Sequence, residues 1–305
     1  MSSETDYRDL TVVVPTLNEA ESIEKVLDEI IQAGVPRDLI LVVDGGSTDG
    51  TREKAEAKGV RVIVQRGKGK ADAVKTALEE AETEYVLFMD GDWTYPARYI
   101  PVLYRKIKEE CLDEVIGARS WGEGSQPLVF RVGNRLLTWL FNLLFGTSLR
   151  DVLSGMYVVR KRALRDAAFS SRGFGIETEI ASHIAATSGR IGEVEIEYRR
   201  RLGEKKLKVR HGVDIALEML RMAWYYNPTF LFFAIAAALL LGPGLAIGGV
   251  TLYRLLFHGE KHFVDGLIAT ILSSAGVVAL MLSIQSMFLK RMEFRIRRLL
   301  TRDQC

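Results

Sequence analysis

Two long apolar stretches, residues 229–253 and 264–289, close a chain of 305 residues whose first two thirds are polar. Each is long enough to cross a hydrocarbon core of roughly 30 Å at about 1.5 Å per helical residue. Neither carries an acid or a base in its middle. A pair of core helices would turn a polar face to water, and residues 236–241 and 275–282 have none to turn. Gly242, Pro243 and Gly244 would break a helix in water, whereas neighbouring helices accommodate such a kink in lipid. The chain is therefore read as a globular part of about 220 residues followed by a transmembrane hairpin.

Charge sets the expected orientation. Lys290, Arg291, Arg295, Arg297, Arg298 and Arg302 follow the second stretch, and Arg199, Arg200, Arg201, Lys205, Lys206, Lys208 and Arg210 precede the first. The turn at 254–262 is only mildly basic, so both termini are expected on the cytoplasmic side of the cell membrane. Residues 1–10 are polar, and no signal peptide is expected ahead of the first apolar strand. The 48% hydrophobic share and mean hydropathy of +0.08 average an ordinary domain with an oily tail. A net charge of +2 gives no reason to expect a nucleic-acid partner; the local basic clusters sit where anionic lipid headgroups would be.

In the polar part, short apolar runs at 11–14, 39–43, 60–64 and 85–89 read as buried strands, and 23–33, 51–58 and 70–81 as the helices between them. That alternation predicts a Rossmann-like α/β fold, a mostly parallel sheet with helices on both faces. Ligands bind such a sheet outside the carboxyl ends of its strands, where this sequence places its polar turns. Asn18, in Pro15-Thr16-Leu17-Asn18-Glu19, either caps the next helix, with Glu21 completing a capping box, or touches a ligand. Glu19 is placed to accept hydrogen bonds from a ribose. In the segment Asp44-Gly45-Gly46-Ser47-Thr48-Asp49-Gly50-Thr51 the glycines admit a close backbone approach, and Asp49 or Thr48 can cap a helix. Asp90-Gly91-Asp92 ends the fourth strand, and two carboxylates flanking a glycine can share a magnesium or manganese ion with a diphosphate. The alternative is a plain loop turn. Gly67-Lys68-Gly69-Lys70 lacks the spacing of a phosphate-binding loop. Glu177 and Glu179 on a helix would point to different sides, and neither is assigned a catalytic role.

These motifs, with Gly117-Ala118-Arg119 and Arg150-Asp151-Val152-Leu153-Ser154-Gly155 in the same order, resemble glycosyltransferase family two, whose nucleotide-sugar-binding fold is GT-A. The resemblance covers nearly the whole chain and is to the polyprenyl-phosphate sugar synthases, which include dolichyl-phosphate mannose synthases. Arg131-Val132-Gly133-Asn134-Arg135, Gly173-Phe174-Gly175-Ile176-Glu177-Thr178-Glu179 and a two-span tail look most like archaeal dolichyl-phosphate sugar transferases of N-glycan assembly. It implies that Pro15, Leu17, Glu19, Val43, Asp44, Asp90, Gly91, Asp92, Arg200 and Lys206 bind the nucleotide sugar. It further implies a divalent metal, Mg2+ or Mn2+, on Asp90 and Asp92, with Thr94 a further candidate. Asp92 and Asp151 are the implied catalytic acids, with helix or turn capping the competing role for Asp151. Arg119, Arg131 and Ser154 are implied to hold the acceptor phosphate. Gly45 departs from the family, many of whose members carry a second acid there.

The expected organisation is a GT-A domain over 1–208, an amphipathic juxtamembrane helix over 209–228, and a hairpin over 229–305 with spans at about 229–256 and 264–289. Amphipathic patterns at 130–145 and 213–226 fit helices lying at the headgroup boundary, or packed on the core. Gly242, Gly244, Gly248 and Gly249 either mediate a homo-oligomer or are simply flexible. The expected reaction is an inverting transfer from a nucleotide sugar, UDP-N-acetylglucosamine or UDP-glucose before GDP-mannose, to dolichyl or polyprenyl phosphate. A processive polysaccharide synthase would show a Gln-x-x-Arg-Trp segment and more spans; a sugar-nucleotide sensor would have no need of intact Asp90, Asp92 and Asp151.

Overall fold

In a computed structural model the described residues are 5–121, 127–167, 169, 175–187, 189–203 and 210–300. The chain divides into two compact units, one running to Leu220 and one beginning at Arg221.

The first unit is built on a seven-stranded sheet. Its strands are β1 (Leu10–Thr16), β2 (Ile40–Asp44), β3 (Arg61–Val64), β4 (Tyr85–Phe88), β5 (Glu114–Trp121), β6 (Tyr157–Arg160) and β7 (Ile191–Tyr198). They lie in the order β3-β2-β1-β4-β6-β5-β7. The four strands and three helices read from the sequence lie within about two residues of the observed ones: α1 (Ile23–Gln32), α2 (Thr51–Ala57) and α3 (Lys70–Glu80). The runs LTVVVPT, ILVVD and YVLF are apolar on both faces, as a parallel sheet covered on both sides requires. Along β1, Val12 and Val14 pack with α1 residues Val26, Leu27 and Ile30. Val13 faces the opposite way, towards Val74 and Ala77 of α3 and Ile176, Ile180 and Ile184 of α6 (Ile176–Ala186). Every residue of α6 is buried.

One departure from parallel order shapes the functional edge. β6 runs antiparallel to both β4 and β5, with Phe88 opposite Tyr157 and Tyr157 opposite Ile116. β7 then pairs parallel with β5. The segment entering β6 therefore opens at the same edge as the ends of β1, β2, β4, β5 and β7. Pro15-Leu17, Asp44, Asp90, Arg119, Asp151 and Arg199 onward all collect there.

α4 (Ile100–Glu109) packs Leu103, Tyr104 and Ile107 into the core, and α5 (Leu128–Phe145) buries Asn134, Thr138, Phe141 and Phe145. The other face of α5 exposes Leu128, Val132, Leu136 and Trp139. By length and composition α5 is one of three helices apolar enough to cross a membrane, where the sequence reading gave two. Its Asn134 side chain is nevertheless tied into the polar cluster of the first unit.

α7 (Arg210–Tyr226) contains the division between units. The second unit carries α8 (Pro228–His258) and α9 (Phe263–Leu300), whose apolar windows have mean hydropathies of 2.4 and 2.3. α8 continues through Pro243. Its start is capped by Asn227 Oδ1, which accepts from Phe230 N at 3.3 Å and Ser286 Oγ at 3.1 Å. The glycines divide by what they face. A Cβ on Gly244 would lie 2.7 Å from Ser273 Oγ, and one on Gly276 2.8 Å from Leu241 N, so both serve close contact between α8 and α9. Gly242 and Gly249 face open space.

Gly276→Ala is therefore expected to destabilise the hairpin by about 1–3 kcal/mol through overpacking, while Gly249→Ala is neutral or stabilising by up to about 1 kcal/mol. Thermal unfolding of the full chain in detergent measures both; equal effects would contradict the assigned helix contact.

Candidate active site

The loop after β1 is locked to the loop after β2. Asn18 takes a left-handed backbone, φ 52°, a conformation asparagine tolerates better than most residues. Its Oδ1 accepts from Thr48 N at 2.9 Å, and its N–H donates to Ser47 Oγ at 2.9 Å. Asn18 thus joins two loops and does not cap α1, whose preceding residue Ser22 makes no side-chain cap. Asp49 Oδ1 accepts from Thr51 N at 3.0 Å, and Oδ2 from Ala20 N at 3.0 Å. Asp44, buried, organises the turn beneath it: Oδ2 accepts from Gly46 N and Ser47 N, both at 3.0 Å, and Oδ1 from Ser47 Oγ at 2.5 Å. A Cβ at Gly45 would sit 3.2 Å from Thr16 O and 3.3 Å from Gln65 Oε1, so Gln65 and the β1 backbone crowd this position. Leu17 is 41% exposed at the edge, whereas the Val43 side chain is in the core.

Asp90 and Asp92 each meet a cation of the protein itself. Lys70 Nζ lies 2.6 Å from both Asp90 Oδ1 and Glu177 Oε1. Arg201 places Nη1 2.9 Å from Asp92 Oδ2 and Nη2 2.5 Å from Glu19 Oε1. Asp92 Oδ1 accepts from Thr94 N at 3.1 Å and Thr94 Oγ1 at 2.5 Å. Burial and the charge of Asp90 push the Asp92 carboxyl up, with Arg201 and Thr94 acting against them. Two glycines make room for these acids. A Cβ on Gly155 would fall 2.2 Å from Asp90 Oδ2, and one on Gly91 2.9 Å from Thr16 Cγ2. Trp93 follows at φ 68°. Its Nε1 donates to Glu29 Oε1 at 3.0 Å, and its ring lies 4.7 Å from the Arg199 guanidinium.

The segment after β7 runs along this loop, with Arg199 N donating to Thr94 O at 2.9 Å and Leu202 N to Asp92 O at 3.2 Å. Extended backbone sends alternate side chains to opposite sides. Arg199 and Arg201 turn in; Arg200, named from the sequence, is exposed, and Lys206 lies outside the described residues.

A second polar cluster stands beside the first. Arg119 Nε donates to Asp151 Oδ2 at 2.6 Å and Nη2 to Oδ1 at 2.8 Å, and the Arg119 N–H reaches Oδ2 at 3.0 Å. Asn134 of α5 joins both, accepting from Arg119 Nη2 at 3.0 Å and donating to Asp151 Oδ1 at 2.8 Å. Burial acts to raise Asp151, but Arg119 and Asn134 outweigh it and hold the carboxyl below its ordinary range. The Arg119 guanidinium lies 5.3 Å from the Tyr198 ring centre. Gly155 N donates to the buried Tyr95 hydroxyl at 2.7 Å, and Ser154 is buried. Arg131 is half-buried one helical turn before Asn134. Lys70, Glu177, Arg201, Asn134 and Tyr95 were given no role by the sequence. The alternation through Arg199-Arg200-Arg201 is the one sequence signal that separates the inward arginines from the outward one.

Among the described residues no group of three or more His, Cys, Asp or Glu side chains converges on a metal position. Asp90 with Glu177 and Lys70, and Asp92 with Glu19 and Arg201, form two ion-paired triads, each with a formal charge of −1. Two hard carboxylates at a centre of charge −2 fit magnesium or manganese, provided the ion completes its shell from a diphosphate and water.

Removing Asp151 would leave the Arg119 guanidinium buried without its carboxylate, so Asp151→Ala is expected to cost about 3–5 kcal/mol in thermal or chemical unfolding. Because Asp151 is held low, its contribution is full above the ordinary carboxylate range, near pH 4, and is lost as pH falls through the lowered value. A wild-type acid destabilisation that persists unchanged in Asp151→Asn would contradict this.

Residues 11–168 match the family described as glycosyl transferase family 2. The chain is 36% identical over 282 residues to Glycosyltransferase AglJ of Haloferax volcanii, covering 90% of this chain and 91% of that protein. It is 34% identical over 206 residues to the Dolichyl-phosphate hexose transferase of the same organism, covering 67% and 89%. Glucosyl-3-phosphoglycerate synthase of Mycobacterium tuberculosis, solved with Mn2+, uridine diphosphate and phosphoglyceric acid, matches with a TM-score of 0.57 at 25% identity, over 72% of this chain and 78% of that one. The sheet is GT-A-like, and the chain belongs to glycosyltransferase family 2.

Proposed function

We propose that the enzyme transfers a sugar from a nucleotide sugar to a dolichyl or polyprenyl phosphate, with inversion, at the cytoplasmic face of the cell membrane, and so supplies protein N-glycosylation. The observation that carries this reading is the pair Asp90 and Asp92 at the carboxyl edge of the sheet, Asp92 sharing Arg201 with Glu19, in a chain that also bears the long apolar helices α8 and α9. The Haloferax volcanii relative named as a dolichyl-phosphate hexose transferase supports the lipid acceptor. Uridine diphosphate in the mycobacterial neighbour supports a UDP-sugar, N-acetylglucosamine or glucose, with GDP-mannose as the second candidate.

On this reading Pro15, Leu17, Glu19, Val43, Asp44 and Gly91 frame the nucleoside, Val43 through its backbone. Asp90 and Asp92 hold the divalent ion, which when bound neutralises charge on the departing nucleoside diphosphate. A lipid phosphate already carries a nucleophilic oxygen, so the site must position it and balance its charge more than abstract a proton. That oxygen bonds to the anomeric carbon as the bond to the diphosphate breaks, and an α-linked donor gives a β-linked product. Arg119 and Arg131 receive the acceptor phosphate near Ser154, and Asp151 keeps the guanidinium of Arg119 turned to the site. With both its oxygens engaged, Asp151 acts by positioning. Arg200 and Lys206 contribute charge from the segment after β7. The exposed apolar face of α5 rests in the headgroup region.

Purified full-length protein is incubated with dolichyl phosphate, manganese or magnesium, and radiolabelled UDP-N-acetylglucosamine, UDP-glucose or GDP-mannose in parallel. A glycolipid from one donor, abolished by chelator, is the expected result. Nucleotide binding without glycolipid from any of the three would overturn the proposed reaction.

A further inference from the structure

Lys70 is an unusual residue for its place. It begins α3, where the helix dipole disfavours a cation, and it is delivered there by Gly67 and Gly69, with φ values of 94° and 87°. Its ammonium is 2.6 Å from Asp90 Oδ1 and 2.6 Å from Glu177 Oε1, and its side chain is only 18% exposed. The two partners differ in kind. Glu177 is fixed in the first turn of the wholly buried α6, whereas Asp90 stands on the loop after β4. The other oxygen of Asp90, Oδ2, lies where a Cβ on Gly155 would be. A compact ammonium thus occupies one oxygen, Oδ1, of one of the two acids suited to a divalent ion.

We propose that Lys70 is the internal counter-ion of Asp90 that a divalent cation displaces, and that Glu177 retains the ammonium when it leaves Asp90. This rests on the reading of Asp90 and Asp92 as the metal-holding pair. Lys70 neutralises Asp90 in the empty site and competes with the ion for Oδ1. Glu177 eases that competition by giving the ammonium a second place to stay. The two residues therefore have opposite effects on metal affinity, although loss of either breaks the same buried ion-paired triad.

The test is manganese binding to the full-length protein in detergent without nucleotide, read from the paramagnetic resonance signal of free Mn2+. Lys70→Gln is expected to tighten binding about tenfold and Glu177→Gln to weaken it about as much. Lys68→Gln, which removes the same charge from an exposed position two residues away, is expected to change it less than about twofold. Thermal unfolding confirms that each variant is folded. If the wild-type protein binds no manganese, or Asp90→Asn binds it equally well, the metal-site reading falls and this one with it. If Asp90→Asn loses manganese but Lys70→Gln binds it no better than wild type, displacement alone is wrong. An equal tightening in Lys68→Gln would reduce the effect to general charge and also overturn displacement.

Discussion

Two carboxylates one residue apart, Asp90 and Asp92, set the problem that the rest of the edge answers. Like charges at that spacing, largely out of water, are unfavourable unless each is paired. The protein supplies one cation to each, Lys70 from the helix after β3 and Arg201 from the segment after β7. Each cation also binds a second acid, Glu177 or Glu19. Four separate parts of the chain are thereby tied to the end of β4, and the centre keeps a charge that a divalent ion complements.

The sheet topology makes this convergence possible. Had β6 run parallel to β4, the segment 150–155 would open at the far edge, away from the acids. Its antiparallel course brings Asp151 to Arg119 and sets Gly155 against Asp90. The two polar clusters are consequently neighbours: one built on the paired acids Asp90 and Asp92, the other around a fixed guanidinium. A buried bidentate arginine–carboxylate pair holds the planar group in one orientation.

Much of the parallel half of the sheet was legible in the sequence because its strands are short apolar runs separated by amphipathic helices, a pattern that local residues determine. β5, β6 and β7 were not assigned as strands. Their sequences mix charges with apolar residues, as in Glu114 and Arg160 or the alternating Glu193, Glu195 and Glu197, and their pairing depends on contacts distant along the chain. Among the candidate site residues, the strand-end motifs pointed to Glu19, Asp90 and Asp92 and the resemblance added Asp44; Glu19 and Asp92 share Arg201 at the sheet edge where Asp90 also lies. Lys70 has no local sequence signal, because its carboxylate partners Asp90 and Glu177 lie 20 and 107 positions away along the chain. Arg201, which turns in to Asp92 and Glu19, had no local signal to mark it beside the exposed Arg200 other than alternation along the chain. Asn18 satisfied a helix-capping pattern yet joins two loops, a long-range choice that local spacing does not register.

The hairpin follows the same division between local and distant information. Its length and apolarity were evident, while the distinction between Gly244 and Gly276, which admit the neighbouring helix, and Gly242 and Gly249, which face outward, depends on how α8 meets α9.

On the proposed reaction, Asp92 serves the departing diphosphate and not the lipid. The most direct measurement is the steady-state rate of sugar transfer to dolichyl phosphate by Asp92→Ala, alongside its affinity for dolichyl phosphate. The expected rate is lower by at least about a hundredfold with lipid affinity unchanged; transfer at the wild-type rate would overturn the role given to Asp92.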